Sequence, residues 1–281
     1  MVIKYSAQFF NVKDTLECGQ IFRYKPLDGG RFLVISTNKA CICYNDGDYA
    51  YIECEDSDSD YFYNFFDLDR DYGKIYQSAL SCDIPFLTKA CSVGKGIRIL
   101  NQNKVEMLFS FIVSQNNNIP RIKKILERLS TELGVKTAYN GYEYFAFPTV
   151  KALASVDEGF YSSIGLGYRA SYIERNAKLL NEGFDICALD SLSTPLLKKE
   201  LKSLYGVGPK VADCISLFGF HRSDSFPVDT WIEKVYREEF FGTEKANDKI
   251  TAFFLDKFKD NSGYVQQYLF SFKRLEAGKS T

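Results

Sequence analysis

The hydrophobic spacing of the chain changes near residue 93, and this change limits the possible folds more than any other feature. Before it, the runs "RFLVIS", "ACICYN" and "YAYIEC" are separated by "PLDGG" and "NDGD", turn chemistry that joins short antiparallel strands. After it, apolar residues recur at helical spacing, from "VEMLFSFIVSQ" to "YVQQYLFSFKRLE". Strands followed by helices predict an α+β chain, with an antiparallel sheet domain over residues 1–92 and a helical domain over residues 93–281.

Composition excludes several classes of protein. No apolar run approaches the roughly 20 residues that cross a bilayer, and the first residues lack the sections of a signal peptide. We therefore expect an intracellular protein, cytoplasmic if its source is a bacterium, with no membrane partner. The 8 cysteines show neither a CxxC pair nor a metal-binding spacing, so we expect core residues and no metal or cofactor. With His221 as the 1 histidine, catalysis must depend on Lys, Asp, Glu, Tyr or Cys.

Charge is distributed unevenly along the chain. The formal net charge of −1 argues against a nucleic-acid partner. However, residues 41–71 hold 10 acids against 1 base, whereas residues 95–128 hold 7 bases against 2 acids. Solvated helix and loop faces account for part of this pattern, and we interpret the rest as one acidic face and one basic face.

The segment "LYGVGPKVADCI", residues 204–215, predicts two helices joined by a tight hairpin at about residues 195–220. Two helices joined so closely are expected to leave the backbone N–H groups around Val207 to Lys210 unpaired and pointing outward, as a cradle for a phosphate. The pattern resembles the helix-hairpin-helix motif of DNA-binding proteins. The alternative is an ordinary corner between two helices, in which the glycines serve only to tighten the turn.

Lys210 is expected in the first turn of the second helix, where the partial positive charge of the helix end disfavours an ammonium group. It is therefore solvated and idle, or holds a phosphate, or is a nucleophile whose amine is freed by the helix end and by partial burial. Asp229 precedes a later helical run, which it or Thr230 is expected to cap. An amine beside an ionised carboxylate can attack a carbon that develops positive charge, so we predict that Lys210 and Asp229 lie close together.

These motifs together resemble the helix-hairpin-helix glycosylase superfamily, and within it the bifunctional 8-oxoguanine DNA glycosylases. The matching segments follow one order along the chain: "CGQIFRY", "LFSFIVSQNNNIPRI", "GLGYRASY", "GVGPKVADCI", "FPVDTW" and "VQQYLFS". The branch that binds an iron-sulfur cluster through C-terminal cysteines is disfavoured, because the last cysteine is Cys214. The resemblance implies an antiparallel sheet domain followed by a helical bundle, in agreement with the hydrophobic spacing.

The resemblance also implies a chemistry for two residues. Lys210 would attack C1′ of the damaged nucleotide and expel the base, leaving a Schiff base that collapses by β-elimination and cleaves the strand. Asp229 would stabilise the positive charge that develops on the sugar and help to move protons. The implied substrate is double-stranded DNA that carries 8-oxoguanine opposite cytosine, bound by a monomer, which in a bacterium would be associated with the nucleoid.

Four further residues would recognise the damaged base. Guanine N7 is an acceptor, whereas the 8-oxo form carries N7–H, so one backbone carbonyl distinguishes them; Gly19 matches the family residue whose carbonyl does this. Gln266 would bond the Watson–Crick edge, while Phe270 and Cys214 would sandwich the ring. Without the resemblance, these four would be interpreted as a turn glycine, a surface helix residue and two core residues.

The remaining matched residues are expected to contact DNA. Tyr168 would fill the gap that the flipped base leaves. Asn116, Arg121 and Arg169 would donate hydrogen bonds to the orphaned cytosine; otherwise they would be a solvated loop asparagine and surface arginines. The residues expected to hold a phosphate in the hairpin are Gly206, Val207 and Gly208.

The sequence departs from the family pattern at two positions. Trp231 stands where members often have a histidine near a phosphate, and Lys273 stands where an acid is expected. Two other functions remain open. A monofunctional alkyl-purine glycosylase would use the aspartate and a water, which leaves Lys210 without a purpose. A non-catalytic DNA-binding module would use the hairpin alone, which leaves Asp229 without one.

Overall fold

The computed structural model describes residues 1–279, and its first part is a five-stranded antiparallel sheet. The strands are β1 (Val2–Ser6), β2 (Tyr24–Pro26), β3 (Phe32–Ser36), β4 (Lys39–Asp46) and β5 (Tyr49–Cys54). Their order in the sheet is β1-β5-β4-β3-β2. The three predicted strands are therefore confirmed as β3, β4 and β5. Of the two predicted turns, "NDGD" joins β4 to β5, whereas "PLDGG" joins β3 to the preceding strand β2 and not to β4.

Helices also occur before residue 93, which the sequence interpretation missed. They are α1 (Val12–Glu17), α2 (Ser59–Phe65), α3 (Tyr72–Leu80) and α4 (Pro85–Gly94). The first two are too short to show a clear helical period, and α2 is rich in aromatic residues, which favour strands. Because α4 packs against the last helix of the chain, this part of the sequence shares a core with the helical region. The domain boundary at residue 92 remains a prediction.

The rest of the described chain is mainly helical, as predicted. The helices are α5 (Lys104–Ser114), α6 (Ile119–Leu133), α7 (Val150–Ala154), α8 (Glu158–Ser163), α9 (Ala170–Asn181), α10 (Thr194–Leu201), α11 (Pro209–Phe218), α12 (Thr230–Glu239), α13 (Asn247–Phe258) and α14 (Ser262–Lys279). Six of the cysteines are buried, whereas Cys187 is exposed and Cys82 is half-buried. No helix within residues 1–279 has the length and apolar character needed to cross a membrane.

A hairpin of β6 (Lys136–Tyr139) and β7 (Tyr142–Phe145) interrupts the helices and was not predicted. Its turn, Asn140–Gly141, has positive φ at both residues, which is the backbone that joins two antiparallel strands most tightly. The Asn-Gly pair was the available signal. Tyr144 of this hairpin packs on the sheet face opposite to α1 and α2, so both faces of the sheet are covered.

Two contacts fix the position of the predicted helix hairpin, α10 and α11. Lys198 of α10 forms an ion pair of 2.6 Å with the buried Asp213 of α11. On the other side of α11, Phe218 stacks on Phe111 of α5, with ring centroids 5.4 Å apart. The middle of α11 is therefore held against its hairpin partner, and its last residue against α5.

His221 lies just after α11 and links the sheet region to the helices. Its Nε2–H donates to the carbonyl of Ile99 over 3.1 Å and lies 3.5 Å from an Asp67 oxygen. Burial lowers the pKa of His221 below its ordinary 6.5, although the negative charge of Asp67 opposes the shift. The folded protein therefore prefers the neutral imidazole.

We expect the free energy of unfolding to fall as the pH drops below 6.5, the ordinary pKa of histidine. In that range the unfolded chain binds a proton at His221 before the folded chain does, so the loss is at most about 1.4 kcal/mol per pH unit. Urea unfolding at several pH values measures it. The control is His221→Asn, since asparagine tolerates the positive φ of 53° at this position. An unchanged pH dependence in that variant would contradict the assignment.

Candidate active site

All six predicted catalytic and base-recognition residues line one cavity. They come from four places in the fold: the turn after α1, the first turns of α11, the start of α12, and α14. The residues are Gly19, Lys210, Cys214, Asp229, Gln266 and Phe270, and the other lining residues are Phe111, Phe218, Pro227 and Gln267. The cavity adjoins a groove of about 850 Å³ that shares several of these residues and extends past Asn116 and Trp231. The cavity therefore opens onto the groove.

Lys210 is the second residue of α11, after Pro209, so its predicted place in the first helical turn is confirmed. Both Lys210 and Cys214, one helical turn further on, line the cavity. Burial raises the pKa of Cys214 to about 11, against the opposing positive charge of Lys210. At neutral pH Cys214 is therefore a protonated thiol that forms a neutral wall beside the amine.

Asp229 is the N-cap of α12, as one of the two sequence-based interpretations predicted. Its Oδ1 accepts from the N–H groups of Trp231 at 3.1 Å and Ile232 at 2.9 Å. Burial raises the pKa of the Asp229 carboxyl, and these two donors and the positive charge of Lys210 oppose the rise. The cap fixes the orientation of the carboxylate toward the cavity that both residues line, close enough for their charges to interact.

Gly19 has φ +93°, a conformation that favours glycine. A Cβ atom at this position would lie 3.3 Å from Phe270 Cε1 and 3.3 Å from Arg274 Nη1. Arg274, which the sequence analysis did not single out, donates from Nη2 to the carbonyl of Glu17 over 2.5 Å and lies 5.5 Å from the Phe270 ring. The turn that carries Gly19 is thus held by α14, the same helix that supplies Phe270.

Gln266 is buried on α14, with 4% of its surface exposed, so the alternative of a surface helix residue is wrong. Its Nε2 donates to the carbonyl of Pro227 over 3.2 Å. Because Pro227 lies two residues before Asp229, this bond connects the base-recognition helix to the segment that carries the carboxylate.

The hairpin loop agrees with the phosphate-cradle prediction except at Val207. The N–H of Val207 donates to the carbonyl of Leu204 over 3.2 Å, and only 5% of the residue is exposed. The prediction that its N–H is unpaired was therefore wrong, because the chain forms a tight turn before the loop opens. The N–H groups of Gly208 and Lys210 have no acceptor within residues 1–279.

The two hairpin glycines differ in what the fold requires of them. Gly206 has φ +74°, and a Cβ there would lie 2.4 Å from the ring of Tyr172. Gly208 has φ −84°, and a Cβ there would meet nothing within 4 Å. The fold therefore requires glycine at position 206, whereas nothing in the free protein requires it at position 208.

Asn176 holds the hairpin loop in place, and the sequence analysis missed it. Its Nδ2 donates to the carbonyl of Tyr205 over 2.8 Å, and its Oδ1 accepts from the N–H of Tyr205 over 3.0 Å. It lies on the buried stripe of α9, three residues after Ile173 and four before Leu180. A polar residue within an apolar stripe was the signal that could have found it.

The turn after α5 gathers three of the predicted DNA-binding residues. Asn116 has φ +45° and lines the groove. Arg169 is 3% exposed and donates to the carbonyls of Gln115 and Asn116. Tyr168 is 54% exposed, and its hydroxyl donates to the Gln115 carbonyl over 3.5 Å. The alternative of a surface arginine is therefore wrong for Arg169, whose guanidinium holds the turn that presents Asn116.

Three further residues are Arg121, predicted to contact DNA, and Trp231 and Lys273, where the sequence departs from the family pattern. Arg121 is exposed in the first turn of α6, and its Nη2 donates to the carbonyl of Gly165 over 3.4 Å. Trp231 lines the groove, with the Lys234 ammonium 4.9 Å from its ring. Lys273 forms an ion pair of 2.7 Å with Glu238 of α12, so it joins α14 to α12.

Comparison with known families gives two adjoining matches. Residues 2–108 match the family described as 8-oxoguanine DNA glycosylase, N-terminal domain, and residues 109–260 match the HhH-GPD superfamily of base excision DNA repair proteins. A solved structure of Clostridium acetobutylicum 8-oxoguanine glycosylase/lyase, in complex with dsDNA containing cytosine opposite to 8-oxoG, is 36% identical. It covers 99% of this chain and 98% of that chain, with a TM-score of 0.91.

Two curated relatives are similar over part of their length. The N-glycosylase/DNA lyase of Saccharomyces cerevisiae is 38% identical over 159 residues, which are 52% of this chain and 42% of the relative. An N-glycosylase/DNA lyase of Arabidopsis thaliana is 32% identical over 191 residues, which are 63% of this chain and 52% of the relative. The matched regions thus span about half the length of these curated relatives.

Proposed function

We infer that this chain, which belongs to the 8-oxoguanine DNA glycosylases of the HhH-GPD superfamily, excises 8-oxoguanine from double-stranded DNA and then cleaves the strand at the abasic site. The preferred partner base is cytosine, as in the DNA bound to the Clostridium relative. The observation that carries the proposal is the single cavity lined by Gly19, Lys210, Cys214, Asp229, Gln266 and Phe270. This cavity brings together a nucleophile, a carboxylate and the residues proposed to recognise the base.

In the proposed chemistry, Lys210 is the nucleophile. Its nitrogen attacks C1′ of the flipped nucleotide, and the bond from C1′ to N9 breaks as the base leaves with the electron pair and is protonated. Asp229 stabilises the positive charge on the sugar and accepts the proton that the amine loses. The sugar ring opens to a Schiff base. A C2′ proton is then lost to water, and the 3′-phosphate leaves with the electron pair of its C3′–O bond in a β-elimination. The cleaved strand then carries an unsaturated aldehyde that water releases from Lys210.

The groove supplies the contacts that hold DNA in this proposal. Gly208 and the start of α11 bind a phosphate through backbone N–H groups. Tyr168 enters the helix at the flipped site, and Asn116 and Arg121 donate to the orphaned cytosine. Arg169 contributes by fixing the turn that carries Asn116, because its own donors already bind backbone carbonyls.

The test is a base-excision assay on a labelled duplex with one 8-oxoguanine opposite cytosine. We expect release of the base and a strand break without added alkali. The same duplex with guanine is the control and should remain intact. Base release without the strand break would favour a water-dependent, monofunctional glycosylase. An intact 8-oxoguanine duplex would favour a non-catalytic DNA-binding module.

Replacing Gly208 with alanine is expected to weaken DNA binding about tenfold, or roughly 1.4 kcal/mol, without loss of thermal stability. The added methyl group meets nothing in the free protein but would separate the loop from a phosphate. Fluorescence anisotropy at fixed salt measures affinity. For comparison, Gly206→Ala should lower the unfolding temperature, because its Cβ meets Tyr172. Unchanged affinity in Gly208→Ala would contradict the phosphate cradle.

A further inference from the structure

Gln267 is a buried residue of the cavity to which neither the sequence analysis nor the proposed mechanism gives a role. It follows Gln266 on α14, lines the same cavity, and has 3% of its surface exposed. Its Nε2 donates to the Oε1 of Gln266 over 2.8 Å. Its own Oε1 is buried, and no donor in the described chain reaches it. A buried carbonyl oxygen without a donor costs free energy unless a ligand supplies the hydrogen bond.

The neighbouring Gln266 is already engaged in two hydrogen bonds. Its Nε2 donates to the Pro227 carbonyl, and its Oε1 accepts from Gln267. Each amide oxygen has two acceptor positions, so one remains on Gln266 and both remain on Gln267. The two amides, linked by one hydrogen bond, therefore keep free acceptor positions beside the cavity that both residues line.

This pair matches one edge of 8-oxoguanine. The Watson–Crick edge of the base carries two adjacent donors, N1–H and the exocyclic 2-amino group, whereas adenine has an unprotonated N1 and no 2-amino group. The third donor of the base, N7–H, lies on the opposite edge and is assigned to the Gly19 carbonyl. Two linked acceptors therefore face two neighbouring donors if the ring is oriented by Gly19.

We propose that Gln267 reads the 2-amino group of the flipped base through its Oε1, while the Gln266 Oε1 accepts from N1–H. The proposal rests on the proposed function, since it needs an 8-oxoguanine in the cavity. Gln267 is then a specificity residue that separates 8-oxoguanine from damaged purines that lack the 2-amino group.

The experiment removes the proposed hydrogen bond between Gln267 and the 2-amino group in two ways, by changing the base and by changing the protein. Single-turnover excision is measured on two duplexes that differ in one group, 8-oxoguanine or 8-oxohypoxanthine opposite cytosine, with wild-type protein and with Gln267→Leu. We expect the wild type to excise 8-oxoguanine about tenfold faster than 8-oxohypoxanthine. Gln267→Leu should lose about that factor on 8-oxoguanine and stay within about twofold of wild type on 8-oxohypoxanthine.

The matched control is Tyr268→Phe. This variant also removes a buried oxygen without a partner from α14, since the Tyr268 hydroxyl is unpaired within residues 1–279, but Tyr268 does not line the cavity. It should keep the wild-type ratio of the two rates. An equal loss on both substrates in Gln267→Leu, or a wild-type ratio near one, would overturn the proposal. A wild-type protein that excises neither base would instead overturn the proposed function.

Discussion

Replacing Lys210 with glutamine is expected to reduce excision of 8-oxoguanine by at least about 1,000-fold and to abolish strand cleavage. Glutamine is one atom shorter and keeps a hydrogen-bonding group, but it has no nucleophilic amine. Among the described residues that line the cavity, Lys210 is the one lysine, so no other is placed to substitute for it. Single-turnover kinetics with a labelled 8-oxoguanine duplex measure both steps.

The matched control for this change is Lys199→Gln. Lys199 is exposed in the last turn of α10 and does not line the cavity or the groove, so the substitution removes the same charge from the same hairpin. It should retain excision within about twofold, the size expected for one screened surface charge. Excision by Lys210→Gln at a rate near that of the control would show that the amine is not the nucleophile.

Replacing Asp229 with asparagine is expected to slow excision by about 100- to 10,000-fold with little loss of stability. The amide oxygen of the new side chain would still cap α12, because the cap uses one oxygen that accepts from Trp231 and Ile232. What disappears is the negative charge beside the developing cation. Excision kinetics and thermal unfolding of the same preparation separate these two contributions.

The pH profile gives a second readout for Asp229. Burial raises the pKa of this carboxyl above its ordinary 3.8, so the reactive carboxylate is lost at a higher pH than for an exposed aspartate. The excision rate of the wild type should therefore fall as the pH drops through that raised value, and Asp229→Asn should lack this acidic limb. The control is Asp157→Asn, which changes another aspartate N-cap, exposed and outside the cavity. A loss of activity in that variant as large as in Asp229→Asn would contradict the assignment.

Sequence analysis predicted the strands and helices that are specified by residues close to them in the chain. β3, β4 and β5 have turn residues at both ends, and α11 has Pro209 and an apolar period, so each was found from neighbouring residues alone. The same holds for Lys210 in the first turn of α11 and Asp229 at the start of α12. Their approach to each other depends on how α12 returns to α11, so it was predicted from the chemistry of an amine beside a carboxylate and not from local residue patterns.

Features that depend on tertiary contacts were not predictable in this way. The N–H of Val207 donates to the carbonyl of Leu204 within the same turn. This bond depends on the backbone angles of the turn, which the sequence Gly-Val-Gly does not determine. Arg169 is buried because three backbone carbonyls surround its guanidinium, two from the distant turn after α5 and one from Leu166 just before it. Gln267 lines the cavity because two consecutive residues of α14, Gln266 and Gln267, lie beside it. The spacing of apolar residues along α14 does not distinguish these two glutamines from surface glutamines.

The most direct test of the account is reduction of the covalent intermediate. The wild-type protein is incubated with the duplex that carries 8-oxoguanine opposite cytosine, sodium borohydride is added, and the adduct is digested and mapped by mass spectrometry. The account predicts a protein–DNA adduct whose reduced sugar is attached to the peptide that contains Lys210, and no adduct with Lys210→Gln. Release of 8-oxoguanine without any adduct, or an adduct on a different residue, would contradict it.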